Sequence, residues 1–132
     1  MKVEIFALCD AATDQRGKLN ILGTFDQLYA PRVPVIHPAS SLAIRMRFDK
    51  IEEGEHQIHI DLVDPDGQAV IQPMEGKIEA RMAPEMESVA INLVLNMHRL
   101  KLDTFADYQF NLAVDGKNVA SLPLYLRQAP SA

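Results

Sequence analysis

Residues able to do chemistry are few in this chain, and they are scattered. His59 and Asp61 are alternate residues of one run. On a strand that spacing puts both on one face, where they would present two metal ligands. His98, in another run, is expected to point outward as well. No HExxH-type or paired-cysteine spacing accompanies them, and a solvated outer face accounts for all three. His56 alternates with the apolar residues of its run and reads as a half-buried histidine at a strand's start. Asp61, Asp64, Asp66 and Gly67 share part of the pattern of a calcium loop. Such a loop needs ligands at alternating positions and a later bidentate glutamate, whereas Pro65 interrupts the series and turn chemistry alone explains it. Arg45 and Arg47 share a predicted strand face and are spaced to grip a carboxylate or phosphate. The competing reading is a pair of outward charges beside acidic neighbours such as Asp61 or Glu79. Cys9 sits in an apolar run and reads as an inert core thiol; a nucleophile would want a nearby base. Gly17 and Gly23 are too far apart for a phosphate loop and lead into a strand, not a helix. No catalytic residue, metal or cofactor is expected from these patterns, and the chain is read as not an enzyme.

The elements that must position these residues are strands. Leu42, Ile44, Met46 and Phe48 alternate with Ala43, Arg45, Arg47 and Asp49. The same period of two runs through His56–Val63, Lys77–Met82 and Tyr108–Asp115, as a half-buried strand requires. Turn residues separate the runs: Asp14–Lys18, Glu52–Glu55, Asp64–Gly67 and Asp115-Gly116. Runs joined so tightly pair antiparallel. Ala30–Pro38 holds three of the chain's eight prolines (Pro31, Pro34, Pro38) and reads as a stiff connection between sheets, not a central strand. Met86–Leu100 fits a strand or a helix; its β-branched residues and asparagines favour the strand. The reading is an all-β, antiparallel two-sheet sandwich of roughly eight to nine strands. The alternative is an antiparallel sheet with one helix at 86–100.

Length and composition agree with one domain. The chain has 132 residues, 48% of them hydrophobic, with five phenylalanines, three tyrosines and no tryptophan. At this size folding buries roughly two-thirds of the unfolded chain's surface, so the core needs no disulfide or metal. We expect one domain over 1–128 and a loose tail over 129–132. The net charge of −5 argues against a nucleic-acid partner. A single cysteine points to a reducing, cytoplasmic compartment. Glu4 and Asp10 break the first apolar stretch, which is therefore read as neither a signal peptide nor a membrane span.

The last third resembles the end of an immunoglobulin-like or fibronectin-like sandwich. Val89–Leu93 is similar to its fifth strand, Leu100–Phe105 to the corner between sheets, and Asp107–Phe110 to the start of the next strand. The resemblance makes Tyr108 a corner tyrosine whose hydroxyl bonds the upstream backbone. The chain departs from antibody domains in lacking the disulfide cysteines and the core tryptophan. The whole chain also resembles an uncharacterised family of small bacterial β-sandwich proteins, through Phe6–Asp10, Gly17–Phe25, His37-Pro38 and Arg45–Arg47. That resemblance implies a fold and a bacterial cytoplasmic origin, and no activity.

One feature of the pattern bears on function. Val3–Cys9 and Leu19–Leu28 are apolar on both faces. With Val3, Ile5, Ala7, Ile21 and Phe25 read as core-facing, Phe6, Leu8, Leu22 and Leu28 form a second apolar face. Either the Pro31–Pro38 loop covers it or a subunit or partner does. The functional expectation is a non-catalytic, self-associating interaction module. An anion- or small-ligand-binding domain at Arg45 and Arg47 is the alternative, and a metal-dependent hydrolase is the least supported.

Overall fold

The computed structural model describes residues 1–130. Its strands are β1 (Lys2–Gln15), β2 (Lys18–Thr24), β3 (Gln27–Ala30), β4 (Val35–Asp49), β5 (Gly54–Val63), β6 (Met74–Ala80), β7 (Ser88–Leu102), β8 (Asp107–Val114) and β9 (Lys117–Gln128). They form two sheets, ordered β2-β1-β4-β7 and β3-β9-β8-β5-β6. Met86–Leu100 is strand over all but its first two residues, so the helix alternative falls. Every pairing is antiparallel except β3 with β9.

The inward rows interlock as the period of two predicts. Leu42, Ile44, Met46 and Phe48 of β4 meet Ile60 and Leu62 of β5, Phe110 and Leu112 of β8, and Leu124 and Leu126 of β9 in one fully buried cluster. The turns follow their residue types. Arg16-Gly17 and Asp115-Gly116 both take positive φ at each central position, the geometry of a tight hairpin that matches strand twist. Asp64 Oδ1 accepts from the amides of Asp66 and Gln68, and Gly67 N donates to Asp64 O. Turn chemistry thus occupies that carboxylate.

Tyr108 is 3% exposed at the start of β8. Its hydroxyl donates to Thr104 O at 2.6 Å and lies 3.3 Å from Thr104 N, as the corner reading requires. Tyr108→Phe leaves a buried carbonyl without its donor. We expect a loss of about 1.5 kcal/mol in urea unfolding, and an unchanged midpoint would show that the corner bond contributes nothing.

Three expectations need correction. Pro38 lies inside β4, which is central, but β1 pairs only with Ser41–Arg47. Around Pro38 the strand therefore has one open edge, and its ladder with β7 skips Pro38 and Arg99, which takes φ 58°, so the proline sits at an irregularity of the sheet. The faces of β1 are also reversed. The register shifts between Val3 and Ile5, leaving Glu4 as an extra residue. A bulge flips side-chain parity, so Val3, Phe6 and Leu8 face the core rows of β4 while Ile5 and Ala7 face outward beside Arg45 and Ala43. Of the tail, Ala129 is tied by its amide to Ala30 O at 2.9 Å; residues 131 and 132 lie outside the described residues.

The β1–β2 hairpin is an arm. Past Cys9, β1 leaves β4 and pairs with β2 alone. The arm folds back over the outer face of its own sheet, bringing β1 near β7 and β2 near β4 although neither pair are sheet neighbours. Asn92 of β7 donates to Gly17 O at 3.1 Å and Asp14 Oδ1 at 3.3 Å at the arm's tip. Beneath it Cys9, Ser41 and Ala43 are almost wholly buried.

Candidate functional site: the open edge of the sandwich

β7 ends the four-stranded sheet, paired with β4 on one side only. It is fifteen residues long. From Ser88 to Met97 it carries no charged residue and no proline. Short β6 ends the other sheet, with Glu75, Lys77 and Glu79 along it. Charges and brevity are the usual protection of an edge; β6 has both, whereas β7 is long and uncharged from Ser88 to Met97. Between the two edges opens an apolar crevice of about 100 Å³, lined by Ile58, Ile60, Met74, Ile78, Leu93 and Leu95. Val89, Ile91, Leu93 and Leu95 point into the sandwich at this side, yet all four remain half-buried. Such a row, beside a line of unpaired backbone groups, is what an added strand would cover.

The other candidates are placed elsewhere. Arg45 and Arg47 do share a face, but the carboxylate they grip is the protein's own. Glu4, the bulged residue of β1, accepts from Arg45 Nε at 3.0 Å and Arg47 Nε at 2.8 Å. Arg45 also donates to Asn92 Oδ1, and Arg47 to Ser88 Oγ. The Arg47 hydrogen bond leads the effects that hold the Glu4 carboxyl below its ordinary range. His59 Nδ1 lies 2.9 Å from Glu75 Oε1 on the outer face of the five-stranded sheet, and Asp61 accepts from Asn111. His98 is on the other sheet, so of the three candidate ligands only His59 and Asp61 come together, at 3.8 Å. Among the described residues no group of three or more His, Cys, Asp or Glu side chains converges on a metal position. Burial raises the Cys9 thiol's pKa, as does the Asp10 charge; Cys9 Sγ lies 3.5 Å from Ser41 O.

A cluster that sequence reasoning missed lies at one end of the sandwich. His56 Nδ1 is 2.6 Å from Asp115 Oδ2, and Nε2 is 2.6 Å from Glu52 O. Both partners only accept, so both ring nitrogens carry protons. The ring stacks on Phe48 at 4.5 Å between centroids. With both N–H groups occupied, the imidazolium serves as a tie between elements and has no free nitrogen for general-base work.

The description "Family of unknown function (DUF6941)" belongs to a family that matches residues 4–127. The chain belongs to this family. No curated protein matches it. Among solved structures it is similar to Pseudomonas fluorescens alkylpurine DNA glycosylase AlkC bound to DNA containing an abasic site analog, at 10% identity and a TM-score of 0.49. That likeness covers 96% of this chain and 30% of the other. No helix of the described residues is long and apolar enough to cross a membrane.

For this family member the expected interface at Phe6, Leu8, Leu22 and Leu28 does not form as one patch. Leu8 is a core residue at 3% exposure, and Phe6 and Leu28 pack partly buried against the core. Only Leu22, on the arm, is open to solvent. The bulge at Glu4 explains the reversal for Phe6 and Leu8. The arm, not the Pro31–Pro38 loop, lies over the outer face.

Proposed function

We propose that this protein is a non-catalytic β-sandwich that acts by protein association, and that its docking surface is the β7 edge with the apolar crevice beside it. The observation supporting this reading is the long edge strand left without charge, proline or partner from Ser88 to Met97. We read the sandwich as immunoglobulin-like, on its two-sheet strand order and the Tyr108 corner. The resemblance to small bacterial β-sandwich proteins adds a bacterial setting to the proposal, the single cysteine a cytoplasmic one, and the net charge of −5 a protein partner in preference to nucleic acid or a membrane.

Asn96→Lys tests it. Asn96 is exposed on the outer face of β7, where its Oδ1 accepts from Ser41 Oγ at 2.7 Å, so a lysine there costs the single chain that one bond, about 1 kcal/mol, and guards the edge. Light scattering after size exclusion is expected to show wild type above the 14.7 kDa of one chain. The variant is expected to associate about tenfold or more weakly, since it sets an unpaired charge in a contact. A wild type of single-chain mass at all concentrations, or a variant that associates unchanged, would overturn self-association through this edge.

A further inference from the structure

We infer that β7 pairs antiparallel with β7 of a second copy of this chain, about a twofold axis at Leu93. The inference rests on the association reading above and adds the partner and the register. A two-copy interface must be self-complementary: residue i meets residue j, and j meets i. An axis centred on a residue, and not between two, keeps inner face against inner face. Centred on Leu93, it sets Val89 opposite Met97 and Ile91 opposite Leu95, apolar against apolar, so the partner covers the half-buried row along the crevice.

Charge selects this centre over its neighbours. The uncharged run is bounded by Glu85 and Glu87 before it and by Arg99 and Lys101 after it. Glu87 and Arg99 are equidistant from Leu93, and so are Glu85 and Lys101. Glu85 and Glu87 precede β7 and Arg99 takes φ 58°, so outside Ser88–His98 the match is one of ends: the axis brings the acidic entry of each β7 to the basic exit of the other, twice over. An axis at Asn92 would keep only Glu85 with Arg99 and leave Glu87 opposite Met97, and one at Val94 would keep only Glu87 with Lys101 and set Glu85 against Asp103. All four bounding side chains are exposed. Among the described residues Glu85, Glu87 and Arg99 form no salt bridge, and Lys101 reaches only Asp103, at 3.8 Å. Their charges are free for a partner.

Register can be read by cross-linking, because Cys9 is wholly buried and no other thiol exists. Ala90 of one copy should face Asn96 of the other with Cβ atoms about 5 Å apart. An equimolar mixture of A90C and N96C chains, treated with a short thiol cross-linker, should give the mixed dimer, with little product from either variant alone. E87R should weaken association about tenfold by removing both symmetry copies of one pair and adding repulsion, and E87R/R99E should restore most of it. Cross-linked product from A90C alone or N96C alone would overturn this register while leaving the edge as the interface. The absence of cross-linking together with a single-chain mass would overturn both. A dimer that Asn96→Lys leaves intact would place the contact on another surface. An E87R chain that associates like wild type would overturn the charge pairing and with it the choice of Leu93.

Discussion

Phe48→Ala should remove about 4 kcal/mol of folding stability, the range for truncating a fully buried aromatic. Phe48 is the last core residue of β4, has no exposed surface, and packs its ring on His56. The ladder to Val89 of β7 at Phe48 and the β1 ladder that ends beside it at Arg47 hold the neighbouring strands apart, so they do not collapse into the space left behind. For a domain of this size total stability is about 5–15 kcal/mol, and the change should lower the melting temperature by roughly 15 °C. Leu22→Ala is the matched contrast. Leu22 is an apolar residue of the first hairpin but 69% exposed, and its truncation should move stability by no more than about 0.5 kcal/mol. Chemical denaturation of the two variants checks both numbers. Equal losses would mean that the arm is packed as the core is, and that the burial assigned to β1 and β2 is wrong.

The same contrast shows where sequence pattern speaks and where it falls silent. β4, β5 and β8 have one buried and one outward face, so their alternation names their core residues directly. β1 is apolar on both faces, and its alternation cannot say which side is in. One inserted residue decides it, because Glu4 shifts the parity and turns Phe6 and Leu8 inward. That bulge also hid the partner of Arg45 and Arg47: their common face was legible, the carboxylate between them was not. Tyr108 was legible because its corner closes within four residues, back to Thr104. The tie between His56 and Asp115 spans fifty-nine residues, and no local pattern joins them.

The β7 edge was hidden for a related reason. Its residues read as an ordinary strand, and even that against a helical alternative. What makes them a candidate site is the absence of a neighbour on one side, which is a property of strand order. Pattern reasoning looked for a strand with more apolar surface than one chain covers and placed it on the first hairpin. There the chain supplies its own cover by folding the arm across the sheet. At β7 no segment does so among the described residues.

The His56 tie should make stability depend on pH, with a sign that the two partners fix together. Burial acts first on His56 and favours the neutral ring, but the Asp115 hydrogen bond, the Glu52 carbonyl and the nearby carboxylates outweigh it and raise its pKa above the ordinary 6.5. A group raised on folding contributes fully below its unfolded pKa and loses that contribution as pH climbs through its folded value. Asp115 moves the other way: its bond from His56, then the Gln57 amide, hold its carboxyl below the ordinary 3.8. It contributes above its unfolded pKa and loses the contribution as pH falls through its folded value. The tie is therefore complete between about pH 4 and 6.5, the two unfolded values. It weakens at higher pH as the imidazolium deprotonates, and at lower pH as the carboxylate protonates. Asp115 is half exposed, which screens the pair, so the whole effect should be about 1 kcal/mol. His56→Phe keeps a ring on Phe48 and removes both N–H donors. Wild type should exceed it by that amount at pH 5.5, and the difference should shrink steadily toward pH 9. Thermal melts of the two proteins across this range check the sign: a constant difference would show that His56 is neutral in the fold, and a difference that grows with pH would reverse the assignment of its protons.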